Sequence, residues 1–311
     1  MRPDGSLHVV SVSIGSSSRD KSVEAEFAGR RVLLERRGTD GDLARARAMM
    51  AELDGQVDAF GLGGTDLYLF AAGRRYTIRD AAKIASGAHI TPVLDGSGLK
   101  HTLERTAIAK LEESGELNLA GKKVLLVSAV DRFGMAEAIA ARTDQFVFGD
   151  LMFGLGVDMP VRSMRRLHLL ARLMLPIICR LPFKMLYPTG DKQNEITPKW
   201  GKYFEWADVI AGDFLFIRHF LPAPEGRPLA GKVVLTNTTT AEDVELLRER
   251  GLSRLITTTP VFDGRTFGTN VMEAVLTALA GSRERLPEQQ MIDTLATWGW
   301  APTVIDLDVA S

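Results

Sequence analysis

Short apolar runs and helical repeats alternate along this chain of 311 residues. Apolar runs, several of which end in glycine, predict strands in the first third of the chain, at 7–14, 30–38, 57–64 and 89–98. Apolar positions spaced three or four residues apart predict helices at 40–55, 78–88 and 99–115. The first third of the chain is therefore predicted to be an α/β domain.

A second series of strands and helices begins with the segment "GKKVLLVSAV". Its predicted strands start at 124 and continue at 145–151, 206–214, 231–240 and 254–260. Its predicted helices lie at 134–142, 241–251 and 269–281. Strands that alternate with helices favour a mostly parallel sheet with helices on both faces. The sequence thus predicts an α/β protein of two domains, 1–117 and 118–311, the second a Rossmann-like doubly wound parallel sheet with a helical insertion at about 155–200.

Composition narrows the class of protein. The hydrophobic share of 45% and the net charge of −1 are typical of a soluble globular protein without a field that attracts nucleic acid. Its single cysteine excludes an internal disulfide framework, and its five scattered histidines do not indicate a metal site, so no metal is predicted. With no signal-peptide pattern at the N-terminus, the expected location is cytoplasmic.

The segment "VLLVSAVDRFGMAEAI", residues 124–139, reads as a strand that runs into a helix. Dinucleotide-binding enzymes place glycines in such a turn, so that the backbone and the helix N-terminus approach a pyrophosphate. Here only Gly134 remains of those glycines. The candidate cofactor-binding residues of the turn and of the following strand are Ser128, Asp131, Arg132, Phe133, Gly134 and Asp150. Arg132 favours NADP and Asp150 favours NAD, whereas a plain strand and helix that hold another ligand or none is the alternative.

Two threonine-rich loops follow later strands, in "TNTTTAED" and "TTTPVFDGRTFGTN". Ligands of open α/β sheets bind at the carboxyl ends of the strands, where these loops are predicted to lie. The candidate cofactor contacts here are Thr236, Asn237, Thr238 and Thr258. The competing interpretation is turn and cap chemistry, with Thr240 and Asp243 forming a helix cap.

In the first domain, "GLGGTDLYL" and "DGSGLKHTLER" place polar groups after strands. Lys100 and Asp66 are the candidate catalytic pair, because a lysine with a lowered pKa can exchange protons with a hydroxyl or carbonyl. Thr65, Asp95 and Ser97 are candidate substrate-binding residues. A solvated lysine and a helix-capping aspartate are the structural alternative.

The stretch 159–190 contains six basic residues and no acidic residue among many apolar ones. Three interpretations remain open, in decreasing order of preference. The stretch is a packed helical insertion or dimer element whose arginines form ion pairs, a lid over an anionic substrate, or a segment that contacts a membrane surface.

Segments such as "VDAFGLGGTDLYL", "TPVLDGSGLKHTLER", "YPTGDKQ" and "LTNTTTAEDVELLRERG" together resemble a bacterial family labelled quinate 5-dehydrogenase, over nearly the whole chain. The turn at 128–136 is similar in spacing to the G-x-S-x-x-V-G-x-P loop of methylene-tetrahydrofolate dehydrogenases. Shikimate-type dehydrogenases use a lysine and aspartate pair in the domain before the nucleotide domain. The resemblance implies oxidation of a cyclic polyol carboxylate with NAD or NADP.

The function predicted from the sequence is therefore an NAD(P)-dependent oxidoreductase that acts on a small hydroxylated substrate. The alternative is a non-redox protein that binds a nucleotide or an anionic metabolite. A small-molecule substrate and a homo-oligomer are the expected partners, with no nucleic acid.

Overall fold

The structure is a computed structural model that describes residues 5–182, 195–259, 261–262, 265–266 and 268–308. The chain forms two compact units, each assembled from several segments. Unit 1 contains the described residues of 1–102, 173–190 and 267–300. Unit 2 contains those of 103–172, 191–266 and 301–311.

The helices and strands are numbered separately along the described chain. The strands are β1 (Leu7–Ser13), β2 (Lys21–Phe27), β3 (Arg30–Gly38), β4 (Ala59–Gly63), β5 (Tyr68–Ala71), β6 (Arg74–Thr77), β7 (Val93–Leu94), β8 (Val124–Leu126), β9 (Phe146–Phe148), β10 (Val209–Gly212), β11 (Val233–Thr236), β12 (Arg254–Thr257), β13 (Val261–Phe262), β14 (Arg265–Thr266) and β15 (Thr303–Asp306). The α-helices are α1 (Leu43–Leu53), α2 (Arg79–Ala85), α3 (Ser97–Glu113), α4 (Phe133–Ala140), α5 (Met164–Ile178), α6 (Gly201–Trp206), α7 (Phe214–His219), α8 (Ala241–Glu249), α9 (Thr269–Leu279) and α10 (Glu288–Thr297).

Unit 1 is organised around a five-stranded sheet with the order β2-β3-β1-β4-β7. Strand β2 is antiparallel to β3, and the other neighbours are parallel. Valine, leucine and phenylalanine from β1 and β4 are fully buried, as expected for strands of a parallel sheet that is covered on both faces. The parallel strands therefore end at one edge, which brings Ser13, Gly38 and Gly63 to the same side of the sheet.

Helix α9 packs on β1, β4 and β7 of unit 1 and is buried along most of its length. The first turn of α9 lies so close to residue 96 that this position requires glycine. At Gly96 an added Cβ would lie 2.4 Å from the backbone N of Asn270, and the φ angle of Gly96 is +83°. Both the close approach and the left-handed backbone exclude a larger residue without strain.

Unit 2 contains a six-stranded sheet with the order β15-β12-β11-β10-β8-β9. All neighbours are parallel except the edge strand β15, which is antiparallel to β12. From β8 the chain proceeds to β9 on one side and then to β10 on the other. The order thus reverses between β8 and β10, and open α/β sheets bind ligands at such a switch point.

The predicted α/β class with mostly parallel sheets is confirmed. The predicted domain boundary near residue 117 stays a prediction. It divides the chain into two continuous segments, whereas each compact unit combines several separate segments. Helix α5 lies within the predicted helical insertion at 155–200. The loop "YPTGDKQ" lies outside the described residues. No described helix is both long enough and apolar enough to cross a membrane.

Candidate functional site

Six polar residues lie at the strand ends around the switch point of the unit 2 sheet or pair with residues there, and we call them the switch-point cluster. Four of them follow consecutive strands: Ser128 follows β8, Asp150 follows β9, Asp213 follows β10 and Asn237 follows β11. Arg132 immediately precedes α4 and Glu104 lies on α3. Because the strands are parallel, all four strand ends lie on the carboxyl edge, where ligands of this sheet type bind.

Arg132 is the central cation of the switch-point cluster. Its guanidinium forms ion pairs with Glu104 and with Asp213, the latter at 2.7 Å between Nη2 and Oδ2. Burial alone would lower the pKa of Arg132, but the negative charges of Glu104, Asp213 and Asp131 outweigh it and raise the pKa. The arginine predicted to meet a phosphate is therefore already neutralised by carboxylates of its own chain.

Asp213 links Arg132 to the threonine-rich loop. Its Oδ2 accepts a hydrogen bond from Nδ2 of Asn237 at 3.0 Å, and its Oδ1 accepts one from the N–H of Leu215, which caps α7. The Asn237 Oδ1 in turn accepts from the N–H of Phe214 at 3.1 Å. These reciprocal bonds fix the orientation of both side chains at the strand ends.

Asp150, which follows β9, binds the backbone of the turn between β8 and α4. Its Oδ1 accepts a hydrogen bond from the N–H of Val130 at 2.8 Å. Burial raises the pKa of Asp150 to about 6, and the nearby charge of Asp131 acts in the same direction. The backbone hydrogen bonds to Val130 and Ala129 oppose this rise. A carboxyl group with this pKa changes its protonation state in the physiological range.

Several buried side-chain atoms of the cluster make no hydrogen bond. Among the described residues, these include the hydroxyl of Ser128, the Oδ2 atom of Asp150 and the Nε atom of Arg132. Of the six cluster residues, Arg132 is the one cation, and Glu104, Asp213 and Asp150 carry carboxyl groups. The cluster therefore combines unused hydrogen-bonding capacity with more carboxyl groups than cations.

The predicted threonine contacts are partly occupied by the fold. Thr236 donates its hydroxyl to the carbonyl of Gly212, and Thr238 donates to the hydroxyl of Thr259 at 2.7 Å. Thr258 is buried, and its N–H bonds to the carbonyl of Thr236. Downstream, the predicted cap is confirmed, because Thr240 and Asp243 form a reciprocal capping box at the start of α8.

The candidate residues of unit 1 form a separate set. Lys100 and Asp66 do meet, with 3.5 Å between Nζ and Oδ2. Thr65 is buried beside Asp66 in sequence, and its hydroxyl donates to the carbonyl of that residue. The structure thus brings the predicted lysine and aspartate together as an ion pair.

Asp95 and Ser97 belong to a buried polar network in unit 1. The Asp95 carboxylate accepts from the N–H groups of Leu67 and Tyr68 and from the Ser97 hydroxyl. It also pairs with Arg285 at 2.7 Å. Because so many donors surround it, Asp95 has a structural explanation that needs no substrate.

Sequence reasoning missed Glu104, Asp213, Arg285 and Glu273. Asp213 carried a signal, since an aspartate directly after a buried strand is a common helix cap. Glu104 and Glu273 lie within helices, and only tertiary packing reveals that both are buried.

The remaining predicted residues of the turn, Phe133 and Gly134, form the first turn of α4 and are buried. Phe133 contacts the ring of His168 edge-on, with 5.1 Å between ring centroids. Phe133 thus packs in the interior of unit 2.

Two family models match the chain. One, described as Domain of unknown function (DUF8754), matches residues 98–307, and another, described as Domain of unknown function (DUF8753), matches residues 8–95. The chain belongs to the DUF8754 family. No curated protein is detectably similar to it in sequence.

Several solved structures are similar to this DUF8754 chain along most of its length. One is a solute-binding protein of an ABC transporter from Burkholderia graminis in complex with D-arabinose, at 10% identity, covering 98% of this chain and 97% of the other, with a TM-score of 0.42. A periplasmic solute-binding protein from Actinobacillus succinogenes with bound D-allose has 11% identity, coverages of 97% and 98%, and a TM-score of 0.37. An NAD-dependent malic enzyme from Thermotoga maritima has 13% identity, coverages of 93% and 83%, and a TM-score of 0.38. At these scores the likeness carries no argument about a ligand of this chain.

The comparisons correct the predicted identity and activity. The resemblance to quinate 5-dehydrogenase was wrong: the matching family models describe domains of unknown function, and the similar structures are mostly sugar-binding proteins of transporters. The predicted NAD(P)-dependent oxidoreductase was wrong for the same reason. The catalytic role of Lys100 and Asp66 stays a prediction that no observation tests. The turn between β8 and α4 gives a physical reason against a bound pyrophosphate as well. Arg132 forms ion pairs with carboxylates of the chain, and the N–H of Val130 donates its hydrogen bond to Asp150.

The expected cytoplasmic location was also wrong against these comparisons, since the protein from Actinobacillus succinogenes is described as periplasmic. We assign no location to this chain. The cofactor, NAD or NADP, and the homo-oligomer stay predictions that no observation tests.

Proposed function

We propose that this chain is a non-enzymatic binding protein for a neutral small molecule rich in hydroxyl groups, such as a sugar or polyol, held by the switch-point cluster. One observation carries the proposal: the Ser128 hydroxyl and Oδ2 of Asp150 are buried without a partner among the described residues. Such atoms are rare, and each costs free energy until a partner binds it. A ligand hydroxyl can both donate and accept, so it suits both atoms.

The charge of the cluster supports a neutral ligand. Arg132 is paired with Glu104 and Asp213, and Asp150 adds a third carboxyl group to the same strand ends. A phosphate brought to this edge would meet like charges, which repel it in a partly buried site. A neutral hydroxyl avoids that cost and still gains charge-assisted hydrogen bonds.

Isothermal titration calorimetry on the full chain tests the ligand class. Pentoses, hexoses and myo-inositol are suitable first probes, because they are neutral and their hydroxyl groups both donate and accept hydrogen bonds. We expect at least one neutral probe to bind, and the matching sugar phosphate to bind more weakly. Binding of sugar phosphates or NADP without binding of any neutral sugar or polyol would contradict the proposal.

Paired variants test the location of the site. We expect Ser128→Ala and Asp150→Asn each to weaken binding, the latter by about tenfold to a hundredfold, since a hydrogen bond to a charged group contributes roughly 1.5–3 kcal/mol. Ser86→Ala and Asp293→Asn, at exposed positions of unit 1, are the matched controls and should bind as the wild type does. If both cluster variants are folded by circular dichroism and keep full affinity, the ligand binds elsewhere.

A further inference from the structure

One face of helix α5 is apolar and open to solvent. The side chains of Leu169, Leu173 and Ile177 follow one another at intervals of four residues and are 59%, 63% and 66% exposed. The opposite side of the helix carries Leu167 and Leu175, which are buried. Residues four apart lie on one face of an α-helix, so the exposed residues form a continuous stripe.

Exposed arginines lie along α5 and just beyond its two ends, and none of them has an ion-pair partner among the described residues. They are Arg162, Arg165, Arg166, Arg172 and Arg180. Arg162 lies over the ring of Trp206, with 5.4 Å to the centroid. The ion pairs predicted for this segment are therefore not found in the part of the chain that the structure describes.

The surface before the helix continues the same pattern. Leu155, Val157 and Met159 are exposed large apolar residues. The nearest acidic residue, Asp158, is paired with Lys202 at 2.6 Å and accepts from the Tyr203 hydroxyl, so its charge is compensated locally. The net charge of residues 155–180 is thus positive.

A shallow depression of about 360 Å³ lies on the N-terminal half of the helix. Met164, Arg165, His168, Leu169 and Arg172 line it. It therefore offers two guanidinium groups and an apolar floor within one concave surface.

From this pattern we infer that the exposed face of α5, together with its arginines, binds the surface of an anionic phospholipid bilayer. An interfacial helix lies flat, with its apolar side chains at the acyl boundary and its basic side chains at the lipid phosphates. The Leu169–Leu173–Ile177 stripe and these exposed arginines match both requirements. No described helix could span the bilayer, so the contact is one of surface binding.

The charge of the face argues against self-association as its purpose. In a two-fold dimer the same patch would meet itself, and arginines would face arginines without an intervening carboxylate. Such a contact would cost electrostatic free energy, whereas an anionic bilayer complements every arginine of the face.

Vesicle co-sedimentation with the full chain tests the inference. The probes are vesicles of phosphatidylglycerol mixed with phosphatidylcholine, and vesicles of phosphatidylcholine alone. We expect binding to the mixed vesicles only, weakened by salt because the charges are exposed to screening. In Arg165→Gln/Arg172→Gln the affinity should fall by roughly twentyfold, since each arginine near the surface contributes a factor of about five.

Two further variants separate the contributions. Arg74→Gln/Arg283→Gln removes the same charge from exposed positions of other elements and should bind as the wild type does. Leu169→Gln keeps every charge and should weaken binding through the lost apolar contact. Circular dichroism serves as a folding check and should give the wild-type spectrum for all three variants.

Three results would overturn the inference. The first is no binding to mixed vesicles by the folded chain, and the second is equal binding to both vesicle types. The third is a dimer, measured by analytical ultracentrifugation, that dissociates in the Arg165→Gln/Arg172→Gln variant while lipid binding is absent; that result would make the face an interface between copies of the chain.

Discussion

The Asp150 carboxylate accepts a hydrogen bond from the backbone N–H of Val130, with 2.8 Å between Oδ1 and N. In dinucleotide-binding enzymes the N–H groups of this turn face the oxygens of a pyrophosphate. Here a carboxylate of the same chain takes one of these donors. The turn that resembles a nucleotide site is therefore furnished with its own negative group, which favours a neutral ligand.

Asp150 makes the stability of the protein depend on pH. Its folded-state pKa, raised by burial to about 6, exceeds the ordinary value of 3.8. Between these values the folded state holds more protons than the unfolded chain, so stability falls as the pH rises from about 4 to above 6. Asp150→Asn should therefore raise the free energy of unfolding at pH 8 by roughly 1–3 kcal/mol and leave it nearly unchanged at pH 4. Urea unfolding at both pH values measures this.

The control for this prediction is Asp293→Asn, at an exposed position on α10. It should change stability little at either pH. A loss of stability in Asp150→Asn at pH 8 would contradict the prediction, because it would mean that the ionised carboxylate stabilises the fold.

Arg132 should be among the most sensitive positions for stability. Arg132→Met removes the buried cation that pairs with the buried Glu104 and the half-buried Asp213, and breaking a buried pair in this way costs about 3–5 kcal/mol. The matched control is Arg142→Met, whose partner Glu112 is half-buried, and which should cost about 1 kcal/mol or less. Chemical denaturation at pH 7 compares the two. Adding Glu104→Gln to Arg132→Met should restore part of the lost stability. Equal losses of stability in Arg132→Met and Arg142→Met would refute the role given to burial.

Arg285 holds two buried carboxylates in unit 1. It pairs with Glu273 at 2.5 Å and with Asp95 at 2.7 Å, and burial raises the pKa of Glu273 to about 7. Arg285→Ala removes the charge that opposes this rise, so the variant should lose about 3 kcal/mol at pH 8 and less at pH 5. Arg283→Ala, at an exposed neighbouring position, is the control. A pH-independent loss in Arg285→Ala would show that packing, and not charge, sets the effect.

Two glycines with a left-handed backbone distinguish the cost of backbone strain from the cost of a steric clash. Gly73 has a φ of +71° and open space around an added Cβ, whereas Gly96 has a φ of +83° and lies against Asn270. Gly73→Ala should cost roughly 1–2 kcal/mol from the left-handed backbone alone. Gly96→Ala should cost about 2–4 kcal/mol, because overpacking adds to the backbone strain. Thermal unfolding measures both, and similar costs would mean that the contact with α9 relaxes freely.

The sequence predicted the parallel strands well because most of them are short runs of buried apolar residues. It missed strands β2 and β15 at the sheet edges. In "KSVEAEF" the glutamates alternate with half-buried apolar residues, so the strand lacks a strong apolar signal. Edge strands take their conformation from the neighbour that pairs with them, and a local pattern does not contain that neighbour.

The candidate site was predicted in its location and not in its chemistry. Ser128, Arg132, Asp150 and Asn237 follow strands, and the parallel sheet brings their positions to one edge. The charge of that edge depends on Glu104, which lies far away in sequence and faces Arg132 only after folding. An arginine in a loop therefore suggested an anion site, although its partners make the site negative.

Helix α9 completes the core of unit 1 although most of unit 2 lies between it and strands β1 and β4 along the chain. Its residue Asn270 bonds to the Ser11 hydroxyl on the first strand. During synthesis, strands β1 and β4 emerge from the ribosome long before the helix that covers them. The apolar face that α9 covers is consequently bare until residues 269–279 have been synthesised, so unit 1 completes its core only after most of unit 2 has been made.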